Sequence, residues 1–248
     1  MLNKCLKIVH LLKDVFKTRI KMLLLGRLFQ PYCILCQVPL DQPQALCLAC
    51  EQSLPKRRAQ YCECCGNPSW GVICGLCLQQ PPAFDLTIAA LDYQYPVNHL
   101  VSAYKYHHQL HLASLLAWQL VEQLNRQMCV LPDLIIAMPL YPTRLAQRGF
   151  NQSLELARII SDELHIPLGH ACRRIKDTAP QAGLKQQKRI QNMRDAFICQ
   201  QDMTGLRVAL VDDVMTTGAS MHELAKQLKQ AGAAHVQCWV VARTSHQD

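Results

Sequence analysis

Eight cysteines set as four Cys-x-x-Cys pairs within 45 residues constrain this chain more than any other feature. The pairs are Cys33/Cys36, Cys47/Cys50, Cys62/Cys65 and Cys74/Cys77. Two intervening residues let both thiolates of a tight knuckle face one ion. A second knuckle completes the tetrahedron that Zn²⁺ adopts in structural sites, with Zn–S of about 2.3 Å. Ten residues separate the first two pairs and eight the last two, spacings that suit small ribbons. Gly66 and Pro68 follow Cys65 and suit the turn that closes a knuckle, because Gly relieves the steric limit there. A block this small builds little core, so metal binding, worth on the order of 10 kcal/mol, would supply most of its stability. The expected ligand sets are Cys33/36/47/50 and Cys62/65/74/77; an interleaved arrangement and a single occupied site stay open. Cys64 is a spare thiol, and Cys5, Cys129, Cys172, Cys199 and Cys238 are read as core or surface residues.

Metal is preferred to disulfides because nothing marks the chain for export. No segment approaches the roughly 20 apolar residues that span a bilayer. The run Met22–Gly26, between Lys21 and Arg27, is shorter than the roughly 7–15-residue core of a secretory signal. The expectation is a cytoplasmic protein without a transmembrane segment, and a reducing compartment favours metal at short-spaced cysteine pairs. With half its residues apolar and 18% charged, the chain is not generally disordered. Of the net charge of +8, +6 falls in residues 1–30, so a nucleic-acid argument from overall charge would rest on that leader. There Leu2, Leu6, Val9, Leu12, Phe16 and Ile20 recur at helical spacing among lysines. This basic amphipathic pattern suits an anionic membrane surface or a partner's groove. It equally suits an ordinary packing helix, and Met22 offers an alternative start.

Residues 31–82 form the cysteine-rich block, a double zinc ribbon closed by Gln79-Gln80-Pro81-Pro82. From residue 83 to 248, strands and helices alternate. Strands are expected at 86–91, 134–138, 207–211 and 236–242, and helices at 97–106, 110–128, 154–164 and 221–231. Continuous apolar strands separated by helices predict an α/β domain whose parallel sheet is covered on both faces.

The segment Arg207-Val-Ala-Leu-Val-Asp212-Asp213-Val-Met-Thr216-Thr217-Gly218-Ala219-Ser220 carries the functional argument. A buried strand delivers two carboxylates at its C-terminal end, where α/β sheets bind ligands. A hydroxyl-rich turn then runs into a helix, whose N-terminal N–H groups and dipole favour a phosphate. Carboxylates beside an anion site make sense when the ligand also carries hydroxyls: Asp212 and Asp213 accept from a ribose diol while Thr216–Ser220 grip its 5′-phosphate. The rival reading, a nucleotide-hydrolysing P-loop protein, needs a Gly-Lys dipeptide, and the chain has none.

This segment closely resembles the phosphoribosyl diphosphate (PRPP) motif of type I phosphoribosyltransferases. Further on, Arg148-Gly149-Phe150-Asn151-Gln152 is similar to the most distinctive motif of the competence protein F (ComF) family. The pattern Thr178, Gln181, Leu184, Arg189, Asn192, Ala196-Phe197 and the pair Lys105-Tyr106 also resemble that family, over about residues 30–245. The resemblance implies a type I phosphoribosyltransferase fold behind a ribbon module. It implies a pyrophosphate-contacting loop with Lys105, Arg148, Gly149 and Asn151, and a basic lid with Gln181 and Arg189. Structural Zn²⁺, and Mg²⁺ bound together with PRPP, are the implied cofactors. Ser220 stands where the motif more often has Thr, which keeps a hydroxyl.

Two functions follow as expectations. One is a PRPP-binding protein of natural competence that assists uptake of single-stranded DNA, with that DNA and the uptake machinery as partners. The other is an active phosphoribosyltransferase with an unidentified acceptor, since no general base or nucleobase pocket is legible.

Overall fold

In a computed structural model of the chain, the residues described are 30–42, 44–57, 60–106, 109–127, 130–177 and 192–245. The leader and the lid positions Gln181 and Arg189 lie outside them. The chain divides into two compact units, Met1–Ser53 and Leu54–Asp248, with the boundary between the two cysteine clusters.

Among its described residues, the smaller unit contains one knuckle and one short helix. Cys33 N–H donates to Val38 O at 2.9 Å and Gln37 N–H to Cys33 O at 2.8 Å, with Gln37 at φ 61° closing the turn. Cys47 then caps helix α1 (Leu48–Gln52) and directs the second cysteine pair along it.

The larger unit repeats this device before its sheet begins. Cys62 N–H donates to Asn67 O and Gly66 N–H to Cys62 O, both at 2.8 Å, with Gly66 at φ 69° in the place of Gln37. Cys74 caps helix α2 (Gly75–Gln79). The sheet follows: β1 (Leu86–Asp92), helices α3 (Val97–Tyr106) and α4 (Leu112–Gln127), then β2 (Leu134–Ala137). Helices α5 (Pro142–Arg148) and α6 (Gln152–Leu164) lead to β3 (Leu168–Gly169) and the small strands β4 (Cys172–Arg174) and β5 (Phe197–Cys199). Finally come β6 (Arg207–Met215), α7 (Ala219–Gln230) and β7 (His235–Arg243).

Five strands form a parallel sheet in the order β1-β7-β6-β2-β3, and β4 pairs antiparallel with β5. The central strands are buried almost throughout, as their largely apolar runs require, and the polar Gln237 inside β7 is satisfied by donating to Val130 O and accepting from Trp239 Nε1, each at 2.9 Å. Val208, Leu210, Val236 and Cys238 pack in one core with Met221, Leu224 and Leu228 of α7. Period-two alternation turns Ala209, Val211 and Trp239 to the opposite face, where α4 and α6 cover the sheet. Helix α4 buries Leu112, Ala113, Leu116, Leu120 and Leu124, the i, i+4 stripe expected of such a cover.

The expected strands and helices are present with ends shifted by a few residues, β6 running on to Met215. One segment differs. The sequence predicts a loop over residues 139–152, whereas α5 occupies its middle. Pro142 sits in its first turn, where no N–H partner is needed, and Gly149 at φ 76° ends it in the left-handed region.

The second ribbon is part of this unit's core. Cys62, Cys64 and Cys77 belong to the same buried cluster as Phe84, Leu210 and Leu224. Thr87 Oγ1 donates to Cys64 O at 2.6 Å, and Thr87 N–H to Glu63 O at 2.8 Å. Arg57 stacks on the Tyr61 ring at 3.6 Å, faces Asp92 at 3.4 Å and donates to Gly66 O.

Candidate functional site

Strand β6 ends by carrying Asp212 and Asp213 to the C-terminal edge of the sheet, beside a cleft of about 700 Å³. The turn that follows forms one wall: Thr216, Thr217, Gly218, Ala219 and Ser220 all line this cleft. Gly218 sits at φ 78°, and a Cβ there would come within 3.0 Å of the Met215 methyl and 3.7 Å of the Phe84 ring. The left-handed backbone therefore favours glycine, and a Cβ would in addition force the Met215 methyl to shift. The Thr217 hydroxyl accepts from Ala219 N–H at 3.3 Å, and α7 starts from this point.

The two carboxylates are held differently. Asp213 is almost fully buried and pairs with Lys105 Nζ at 2.8 Å, its other oxygen accepting from Val214 N–H at 2.6 Å. Burial pulls Lys105 down, but the Asp213 charge and hydrogen bond outweigh it and hold the amine above its ordinary range. Asp212 Oδ1 accepts from Ser153 Oγ at 2.7 Å and from Asp213 N–H at 2.9 Å. Burial, with the Asp213 carboxylate adding to it, pushes Asp212 up to about 7. The pair thus holds one carboxylate neutralised by a lysine and one that titrates near neutrality.

The opposite wall is cationic. Arg144, Arg148 and Arg174 line the cleft together with Lys105. Arg148 lies 5.2 Å over the Tyr106 ring and donates to Gln152 Oε1 at 3.0 Å and to the Tyr106 hydroxyl at 3.4 Å. Arg174 lies 5.7 Å over the Phe197 ring; burial, then the nearby Arg144, pull its guanidinium down. Four cations face two acids and a helix N-terminus, a charge pattern suited to a ligand with phosphate at both ends and hydroxyls between.

Of the residues read from sequence, Asp212, Asp213, Thr216–Ser220, Lys105 and Arg148 meet in this one cleft. Gly149 and Asn151 lie just outside its lining. Asn151 caps α6, its Oδ1 accepting from Ser153 and Leu154 N–H and its Nδ2 donating to Met138 O at 3.1 Å. Its role in the fold is thus to aim the start of α6, and with it Ser153, at Asp212. Sequence reasoning missed Ser153, Gln152 and Arg174 as site residues.

It also missed Arg243, the last residue of β7. This side chain is 2% exposed. It donates to Cys65 O at 3.0 Å on one side and to Met215 O (3.1 Å) and Thr216 O on the other. One guanidinium therefore ties the second knuckle to the turn that follows β6. Burial pulls it down to about 10, so it remains charged at neutral pH. A lone charge closing a strand of buried residues was the available signal.

Each four-cysteine set is tested by its own geometry. In each, the four sulfurs lie within 4.8 Å of one another. A tetrahedron with bonds of about 2.3 Å has S···S edges of about 3.8 Å. Cys36 and Cys47 sulfurs stand 3.7 Å apart, as do those of Cys65 and Cys74. Cys74 N–H also donates to Cys62 Sγ at 3.2 Å, a usual support for a metal-bound thiolate. The donor sets Cys33/36/47/50 and Cys62/65/74/77 fit Zn²⁺, and the interleaved alternative is not the one formed.

Comparison with known proteins gives matching findings. The double zinc ribbon domain family matches residues 24–80 and the phosphoribosyl transferase domain family residues 151–248. Competence protein F of Haemophilus influenzae is 34% identical over 85% of this chain and 96% of its own length. DNA utilization protein YhgH of Salmonella typhi is 33% identical over 86% and 96%. Competence protein ComFC of Bacillus subtilis is 22% identical over 88% and 98%. Among solved structures, a glutamine PRPP amidotransferase from B. subtilis covers 56% of this chain and 30% of its own, at 19% identity and TM-score 0.39. Among the described residues, no helix is long and apolar enough to cross a membrane.

Proposed function

Because the chain belongs to the competence protein F family, we propose that it is a phosphoribosyl-ligand-binding protein serving the handling of single-stranded DNA in natural competence. The observation that carries this is the convergence of Asp212, Asp213 and the 216–220 turn in one cleft with four cations. In this reading the two carboxylates accept from the ribose hydroxyls and the turn takes the 5′-phosphate. Lys105, now paired with Asp213, is 2.8 Å from it and is placed to shift toward a pyrophosphate as the diol replaces it. Arg148, stacked on Tyr106, presents a planar fork to the same group. Mg²⁺ entering with the pyrophosphate would supply charge neutralisation there. The ribbons and the basic segment 173–194, with Gln181 and Arg189, would contact DNA or the uptake machinery in the cytoplasm. Trp70, 99% exposed on the second ribbon, offers a stacking surface.

Calorimetric titration of PRPP with Mg²⁺ tests the cleft. Asp212→Asn and Asp213→Asn should each weaken binding by about tenfold or more, the worth of one charge-assisted hydrogen bond. Equal affinity in wild type and both variants removes the assignment. Single-strand binding should weaken steeply with salt, and a salt-independent affinity would remove the DNA half of the proposal.

A second reading, an active phosphoribosyltransferase, is favoured by one observation: a carboxyl pushed up to about 7 is well matched to proton transfer at neutral pH. Pyrophosphate release from PRPP across nucleobases and ammonia distinguishes the two, since only the enzyme releases it.

A further inference from the structure

A second cleft, of about 840 Å³, lies on the other side of the phosphate turn. Met215, Thr217, Gly218 and Ala219 line both clefts, so the turn is a partition with open space to either side. The far wall is the second ribbon and the segment after it. A zinc ion among Cys62, Cys65, Cys74 and Cys77 would fill only one corner of this volume.

The two clefts differ in chemistry. The first holds four cations. The second is lined by neutral amides (Asn67, Gln79, Gln80) and by flat or apolar groups, including Pro81, Pro82 and Phe84. Asn67 Oδ1 is buried and has no hydrogen-bond partner in the described structure. His222 Nδ1 accepts from Ala83 N–H at 3.1 Å, which places the proton on Nε2 as a donor. Arg243, which lines this cleft, is engaged with backbone carbonyls through Nε and Nη1, and the Glu223 carboxylate lines the same cleft. Such a surface suits a neutral, planar, hydrogen-bonding heterocycle and not a second phosphate.

We propose that the second cleft receives a nucleoside joined to the phosphate held by residues 216–220, so that the protein binds the 3′-terminal dinucleotide of a single strand. This deepens the proposed function and rests on it. A phosphomonoester has one ester group, which the first cleft takes, whereas a phosphodiester has a second, which would pass over the rim of the turn into the adjoining cleft. The terminal sugar then lies over Asp212 and Asp213, which accept from a free hydroxyl and repel a 3′-phosphate. The strand continues outward past the ribbon from the second cleft.

The probes are thymidylyl-thymidine, thymidine 5′-methyl phosphate and thymidylyl-thymidine 3′-phosphate, titrated calorimetrically. The first two carry the same charge and differ only by the second nucleoside. A stacked, hydrogen-bonded base should make the dinucleotide about tenfold tighter. Gly75 lines the second cleft and has open space at its Cβ position, so Gly75→Phe should fill the cleft and abolish the difference. Gly75→Ala should keep it, and zinc content reports that the ribbon remains folded. The 3′-phosphate should bind about tenfold more weakly than the parent dinucleotide. Equal affinity of the dinucleotide and the methyl ester in wild type overturns the inference without any variant. So does an advantage that survives Gly75→Phe, or equal binding of the 3′-phosphorylated probe. If PRPP and the methyl ester both fail to bind wild type, the phosphate turn itself has been misread and the proposed function falls as well.

Discussion

Replacing Arg243 with Met is the sharpest test of how the site is held. The guanidinium supplies the bonds to Cys65 O, Met215 O and Thr216 O, linking three segments distant in sequence. Methionine fills much of the volume but removes three charge-assisted bonds at about 1–3 kcal/mol each, although Met215 O keeps Thr244 N–H at 3.1 Å and Thr216 O keeps the Thr244 hydroxyl at 3.4 Å. Against this gross loss of about 3–9 kcal/mol stands relief from burying a charge, worth several kcal/mol. The expected net destabilisation is about 2–5 kcal/mol, read from urea midpoints at constant slope. Ligand affinity should fall beyond what stability explains. Thr216 belongs to the turn proposed to hold the phosphate, and its carbonyl would lose its charged donor while the Thr244 hydroxyl still donates to it at 3.4 Å. Measured under conditions where the variant is fully folded, PRPP should bind about tenfold more weakly. Arg243→Lys, which keeps the charge but not the fork, should lie between the two. If Arg243→Met unfolds within about 0.5 kcal/mol of wild type and binds PRPP equally, the tie carries nothing and the reasoning fails.

Metal analysis of the purified chain should find two zinc ions. Cys65→Ser should lose one of them and, because Arg243 binds the carbonyl of that residue, weaken PRPP affinity as well; full affinity with one zinc lost would argue against the coupling. Gly218→Ala places a Cβ within 3.0 Å of Met215 Cε at φ 78°, and should cost about 1–2 kcal/mol and at least tenfold in phosphate binding. An unchanged melting temperature would contradict this. Asp212 sits at about 7 in the folded chain against about 4 unfolded, so between those values the native state holds the extra proton and stability falls as pH rises. Asp212→Asn should remove that decline and become relatively more stable between pH 5 and pH 8, by on the order of 1–3 kcal/mol. Parallel pH profiles for the two proteins would refute the raised carboxyl.

What the sequence reveals of this protein depends on how local the determinant is. The zinc ligands are legible because two knuckles of four residues declare their own geometry. The strands β1, β2, β6 and β7 are legible because a parallel strand buried on both faces must be apolar without interruption. The acidic pair and the hydroxyl turn adjoin in sequence, so their meeting requires no tertiary knowledge. By contrast β3, β4 and β5 span two or three residues each, too short to show any period. Helix α5 hides in a segment whose arginines draw attention to charge, although Pro142 and Gly149 mark its two ends. Ser153 reaches Asp212 across 59 positions, and Arg243 reaches Cys65 across 178. No pattern near either residue encodes that contact, since it exists only once the sheet has ordered its strands. The same reason explains why the ribbons look like one module in sequence while the second is built into the sheet's core. Spacing shows the cysteines as a repeated motif, but packing follows Thr87, Phe84 and Arg243, which lie outside that motif. The second knuckle is therefore better understood as part of the sheet's core than as an appendage, and it is through Arg243 that it and the 216–220 turn would rise or fall together.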